Sequence, residues 1–374
     1  MSEQPTYEQP IQPDALPAGR SVPVALVLLA VPIIASMISR TVMSFVDFVM
    51  VAQLGTEAMA AIMPAGILLF CVISFGMGVL GLVNTFVAQA YGRGLHGECS
   101  AYAWQGIYLS AVLSVVVLPA WWFVDDLFAA VGHEPAVQVM EVAYVRIGLL
   151  GLFPGLAAMA LGNFFMGIHR PAVGLWAALI GNVFNVLANY MLIFGAWGAP
   201  RLGIAGAAWG TVVASVVQAV VLLAWMLRPK LDAIYHGRRT WRLSTKRINA
   251  IFRKGLPAGL QFSAEIAAFA IFTMVLVGRF GKVQLAAHNL VFKLLEISFM
   301  PTVGLGAAVT AAVGKALGER DTQLARRVVR WAATFALGYM GVVAVGYIAL
   351  RHQLPALLTD NAEVIDWSAK LLIC

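Results

Sequence analysis

The chain has 374 residues, of which 61% are hydrophobic and 11% charged, with a formal net charge of +7. A soluble domain is about half apolar and about a quarter charged. This composition, with a mean hydropathy of +0.84, excludes a cytosolic enzyme, a disordered chain and a disulfide scaffold, and implies an all-α polytopic membrane protein.

The first twenty residues are polar and carry four of the sixteen prolines, with no basic segment ahead of an apolar core. They read as a cytoplasmic tail (1–20) and not as a cleaved signal. Beyond them, uncharged runs of the ~20 residues needed to cross a bilayer recur along the chain. Nine full spans are predicted near 24–48, 57–90, 101–124, 138–165, 172–195, 204–228, 250–278, 285–313 and 329–350. A tenth starts near 361 and has only about 14 residues by Cys374, too few to cross. With the N-terminus inside, seventeen Lys and Arg fall in inner loops, nine of them in 228–254 and five in 315–330. Only Arg201, Arg279, Lys282 and Arg351 fall outside. This positive-inside asymmetry explains the basic charge and places the chain in the cytoplasmic membrane, with no nucleic-acid partner required. The three cysteines and six histidines form no metal-ligand or disulfide pattern, and neither HExxH nor a nucleophile–base set argues for an enzyme.

The basic segment divides the chain after six spans, and the two sides resemble each other. Leu54-Gly55-Thr56-Glu57 through Ala61 resembles Phe280-Gly281-Lys282-Val283 through Ala287, at an offset of 226. At the same offset Ala90-Tyr91-Gly92-Arg93 faces Ala316-Leu317-Gly318-Glu319. Because six is even, the halves share one orientation, as in transporters whose repeats are related by an axis along the membrane normal. The expected organisation is an N-terminal six-helix bundle (21–228), a basic linker (229–249) and part of a second bundle (250–374).

Ionisable residues inside apolar spans are candidates for function, because holding them there costs several kcal/mol. Glu265 lies near mid-membrane and either carries a proton or is held ionised by a cation such as Na⁺. Asp47 lies nearer the outer interface. Arg40, seven residues before it on the same face, serves as its counter-ion or as partner to an anionic substrate group. Lys293 and Glu296 are three apart and most simply neutralise each other. Asn185 and Asn189 share a helical face, as cavity-lining or interhelix groups do. Arg146 can snorkel to the outer interface. Gly76-Met77-Gly78-Val79-Leu80-Gly81 has the letters of a dinucleotide fingerprint but sits in a long uncharged run with no preceding strand, so its glycines read as helix-packing positions.

These residues resemble the multidrug and toxic compound extrusion (MATE) family. The likeness is carried by Phe45-Val46-Asp47 with Leu54-Gly55, by Asn185, Asn189 and Gly195, and by Gly198-Ala199-Pro200-Arg201-Leu202-Gly203. In the second half it is carried by Gly255-Leu256-Pro257, Glu265, Ala286-Ala287-His288, Gly306-Ala307-Ala308-Val309 and Gly314 through Asp321. The resemblance implies a secondary antiporter of two six-helix bundles that exports organic compounds, cationic and amphiphilic in character, against inward Na⁺ or H⁺. It needs no cofactor beyond the coupling ion and acts as a monomer in the bilayer. Glu265 matches the cation-site carboxylate of the NorM-like branch and Asp47 a first-span aspartate of bacterial members. Asn189 stands where the DinF-like branch has an aspartate, which favours the NorM-like side. Family members have twelve spans, so the resemblance also implies that the second bundle lacks its last three helices here. Rival readings are a lipid-linked oligosaccharide flippase, an organic-anion exporter using Arg40, and a non-transporting remnant.

Overall fold

The computed structural model describes residues 21–272, 280, 282–359 and 361–373. The polar tail, Arg279 and Cys374 lie outside them. Among the described residues there are fourteen α-helices and no strand. The first eight helices are α1 (Val22–Ala52), α2 (Thr56–Gly92), α3 (His96–Val117), α4 (Val124–Val131), α5 (Pro135–Leu150), α6 (Leu152–Gly167), α7 (Pro171–Phe194) and α8 (Ile204–Met226). After a short α9 (Pro229–Tyr235) come α10 (Thr245–Ile271), α11 (Lys282–Gly318), α12 (Thr322–Ala349), α13 (Gln353–Ala356) and α14 (Ala362–Leu371). Local chemistry sets several boundaries. Proline opens α5, α7 and α9, where its missing N–H is not needed. Gly132 and Gly195 end α4 and α7 in the left-handed conformation that a residue without Cβ adopts freely.

Seven helical segments are long and apolar enough to cross a membrane, and an eighth is formed if α5 and α6 count as one span. One expectation is corrected by this. The fourth span, read as continuous over 138–165, is bent by 47° between α5 and α6. Pro154 stands in the first turn of α6 and cannot accommodate the carbonyl four residues back, so the helix breaks at Gly151. Gly151 in turn lets Val212 of α8 approach, since a Cβ there would lie 2.8 Å from its Cγ2. The count of nine full spans is not confirmed among the described residues. The last part of the one expected at 250–278 lies outside them.

The contacts between the halves follow the repeat. Gly78 of α2 approaches the backbone of Ala258 and Gly259 on α10, where a Cβ would sit 2.5 Å from backbone atoms. At the position 226 residues later, Gly304 of α11 approaches Ile34 of α1. Further along, Gly314 packs on Ala88, Gly92 lies against the Lys315 carbonyl, and Gly318 lies against the Gln89 carbonyl. Gln89 and Lys315 are themselves 226 apart, so each half presents the same surface to the other, as in an isologous interface. Positions rise together along α2 and α11, so the two run parallel, as an axis along the membrane normal requires. Asn84 adds an interhelix bond from its Nδ2 to the Ala307 carbonyl at 3.1 Å.

The same end of the bundle is filled by aromatic and basic groups. Tyr91 stacks on His169 at 5.4 Å, and the Lys315 ammonium lies 5.7 Å from the Tyr91 ring. His169, in the turn between α6 and α7, is held down at about 4 by burial and by the neighbouring Lys315 charge. A neutral buried histidine binds a proton on unfolding, so its contribution is present above pH 6.5 and is lost as pH falls towards 4. Replacing His169 by Asn, which tolerates its positive φ, should flatten the fall in melting stability over that window, whose slope reaches about 1.4 kcal/mol per pH unit. An unchanged pH profile would contradict this assignment. Glycine contacts give a second test. Gly78→Ala should lose about 1–3 kcal/mol in thermal unfolding. Gly66→Ala, with open space around it, should gain up to about 1 kcal/mol from helix propensity.

Candidate functional site

Two polar constellations lie within the apolar helices. The first joins α1 to α7. Asn182, Asn185 and Asn189 recur at helical spacing, so they form a stripe on α7. The Asn182 Nδ2 donates to the Ser39 carbonyl at 3.0 Å and to its Oγ at 2.7 Å. Further along, the Asn189 Nδ2 donates to the Asp47 carboxylate at 2.5 Å and to the Asn185 Oδ1 at 3.1 Å. Asn185 and Asn189 are fully buried. The Asn189 Oδ1 and the Asn185 Nδ2 have no hydrogen-bond partner among the described residues. Gly210 of α8 leaves the room that the Asn189 Oδ1 occupies, and any Cβ there would overlap it.

This arrangement offers a carboxylate and two amide oxygens, one of them unmatched, in a low-dielectric setting. Hard oxygen donors suit a proton or a small cation. An unmatched buried acceptor costs about 1–3 kcal/mol until something fills it. The sequence places Asn185 and Asn189 on one helical face and treats Asp47 separately; the structure joins all three through Asn189. Ser39 was missed, and a hydroxyl at that depth gives little signal by composition.

The second constellation is on α10 and α11. Glu265 is exposed and accepts a hydrogen bond from Gln261 Nε2, one turn earlier, at 2.9 Å. The Lys293 ammonium pairs with Glu296 at 2.8 Å, as their spacing predicts, and not with Glu265. One turn from these groups, Phe269 stacks on Phe292 at 3.9 Å and on His288 at 5.8 Å, holding α10 to α11. That aromatic contact escaped the sequence reading, because Phe and His in an apolar run look like ordinary core.

Arg40 is exposed on α1 and forms no ion pair with Asp47 among the described residues, so the counter-ion alternative fails. One turn of α1 is about 5.4 Å. Seven residues place the guanidinium two turns from the carboxylate. Arg146 instead pairs with Asp125, lies 5.8 Å from the Trp121 ring and donates to the Trp121 carbonyl at 3.4 Å, which ties α5 to the turn before α4. Glu141 also went unread. Its fully buried carboxylate accepts from His133 Nδ1 at 2.8 Å. No group of three or more His, Cys, Asp or Glu that could hold a metal occurs among the described residues.

Parallel repeats, close glycine crossings and carboxylates set among apolar helices define a multi-pass membrane transporter of duplicated architecture. The chain belongs to the MatE family, whose model matches residues 32–191 and 257–374. A probable multidrug resistance protein NorM of Rhizobium meliloti is 29% identical over 355 residues, covering 93% of this chain and 76% of that one. Its counterpart in Brucella suis is 30% identical over 346 residues, 91% of this chain and 71% of that one. Among solved structures, an outward-facing multidrug resistance MATE family transporter superposes with a TM-score of 0.85 at 20% identity, covering 95% of this chain and 78% of that one. The eukaryotic MATE transporter AtDTX14 superposes with a TM-score of 0.81 at 18% identity, covering 93% and 77%. The relatives are transporters, and the bacterial NorM proteins point to the cell membrane.

Hydrogen bonds to a charged acceptor are worth about 1.5–3 kcal/mol and those between neutral groups about 0.5–1.5. Asn189→Leu should therefore cost more in thermal unfolding than Asn182→Leu. Equal losses would mean that Asp47 carries a proton in the resting protein.

Proposed function

We propose that this protein is a secondary antiporter of the NorM-like type, exporting organic amphiphilic cations in exchange for inward Na⁺ or H⁺. The observation that carries the reading is the Asp47–Asn189–Asn185 network, a membrane carboxylate beside an unmatched amide oxygen. Glu265 is the counterpart carboxylate of the second half.

In this reading 21–228 form one bundle, 229–249 a linker and 250–374 part of a second bundle. The end carrying the basic loops faces the cytoplasm, as does the N-terminus. Alternating access is a rocking of the halves about the α2–α11 crossing, which closes the cytoplasmic end when Gly92 and Gly318 meet. Occupancy of the carboxylates by the coupling ion weakens drug binding and favours release outside. By linkage, bound drug weakens the affinity for the ion by the same factor.

A second reading has a specific observation in its favour. Arg40 is exposed and has no ion-pair partner among the described residues, which suits a substrate with an anionic group. The two differ in substrate charge and share the coupling site.

The test is dye efflux from cells or proteoliposomes under an imposed Na⁺ or H⁺ gradient. Asp47→Asn and Glu265→Gln should each reduce efflux to the level of empty vesicles. Undiminished ion-dependent efflux by both would end the proposal. Arg40→Gln should leave efflux of organic cations intact, and loss of organic-anion efflux in that variant would establish the second reading.

A further inference from the structure

The segment between α8 and α10 crosses no membrane, yet it is firmly placed. One face of α3 carries Ser100, Trp104 and Tyr108 at four-residue intervals, with Gln105 beside them. The Ser100 hydroxyl bonds the Tyr235 carbonyl and lies 2.8 Å from the Thr240 hydroxyl. Trp104 Nε1 donates to the Gly237 carbonyl at 2.8 Å, and the Tyr108 hydroxyl donates to the Trp241 carbonyl at 2.5 Å. Gln105 donates to the Arg242 carbonyl at 3.1 Å and accepts from the Ser244 N–H at 2.8 Å. Residues 235–244 are thus stapled by their backbone along the end of α3.

Stapling the backbone leaves the side chains pointing away. Trp241 is 57% exposed and Leu243 is 63% exposed. Arg239, Arg242 and Lys246 flank them and are exposed. Other cations of the segment are engaged: Arg238 bonds the Leu227 carbonyl and pairs with Asp232, while Arg247 pairs with Glu98 and lies over Tyr102. Arg239, Arg242 and Lys246 have no side-chain partner among the described residues. A solvated loop has no use for a bare indole and leucine, and a buried one has no use for three unpaired cations.

We propose that residues 239–246 form a binding surface for anionic phospholipid of the adjoining leaflet. The Trp241 and Leu243 side chains would enter the headgroup–acyl boundary, where indole rings are favoured. Arg239, Arg242 and Lys246 would meet lipid phosphates, to which basic juxtamembrane clusters are drawn. The occupant is lipid and not a soluble polyanion, because apolar and cationic side chains share one short stretch at the mouth of two membrane helices.

The full chain is reconstituted in nanodiscs of brominated phosphatidylglycerol or brominated phosphatidylcholine, and tryptophan quenching is compared. Quenching should be greater with phosphatidylglycerol, and Trp241→Phe should remove most of that difference. In mixed micelles, the Arg239→Gln, Arg242→Gln, Lys246→Gln triple variant should bind phosphatidylglycerol roughly a hundredfold more weakly. The Arg326→Gln, Arg327→Gln, Arg330→Gln variant, which removes equal charge from α12, should bind as the parent does. Equal quenching in the two lipids, or equal weakening in the two triple variants, would overturn the proposal. Neither readout depends on transport.

Discussion

The structure depends on how closely α2 and α11 can approach. In a bilayer, lipid tails are as apolar as leucine, so helices associate through packing and interhelix hydrogen bonds and not by escaping water. Close packing needs small residues where the axes cross. Gly92 and Gly318 occupy equivalent places in the two halves, and each lies against a carbonyl of the other helix, from Lys315 and Gln89 respectively. Any side chain at either position would push the helices apart at one end while leaving the rest of the crossing intact. In the proposed cycle this is the contact that closes one end of the halves and parts when they rock.

The polar groups follow from the same constraint. Helices that cannot rely on the hydrophobic effect are joined by amides reaching across: Asn84 to Ala307, Asn163 to Leu80, Asn182 to Ser39. The Asp47–Asn189–Asn185 network differs from these joints. Each joint is a side-chain amide donating to a backbone carbonyl, and the Asn84 Oδ1, like that of Asn189, has no partner among the described residues. Of these, the network alone brings a carboxylate to a buried amide, whose oxygen fills the room beside Gly210.

Hydropathy made α1, α2, α3, α7, α8, α11 and α12 legible, because an uninterrupted apolar run admits few structures in a membrane. The break at Gly151 was harder to read, since Pro154 is tolerated inside many spanning helices and only the packing on Val212 fixes its effect. In the site, Lys293 with Glu296 and the Asn185–Asn189 stripe were legible from i,i+3 and i,i+4 spacing. The link from Asn189 to Asp47 spans 142 residues and could not be read from spacing. Arg40 shows the limit from the other side, since a shared helical face with Asp47 did not bring the two together. Glu141 was overlooked although its signal was present: an acidic residue inside an apolar run with His133 two turns earlier.

The central claim is that the halves rock about the α2–α11 crossing. It is tested most directly by joining Ala88 and Gly314, the equivalent positions whose Cβ atoms would nearly touch. In a chain with Cys71, Cys99 and Cys374 replaced by Ser, Ala88→Cys and Gly314→Cys are introduced together and transport is followed during oxidation and reduction. The account predicts efflux from the reduced protein, none once the cross-link is complete, and recovery with reductant. Undiminished efflux from the fully cross-linked chain would contradict it.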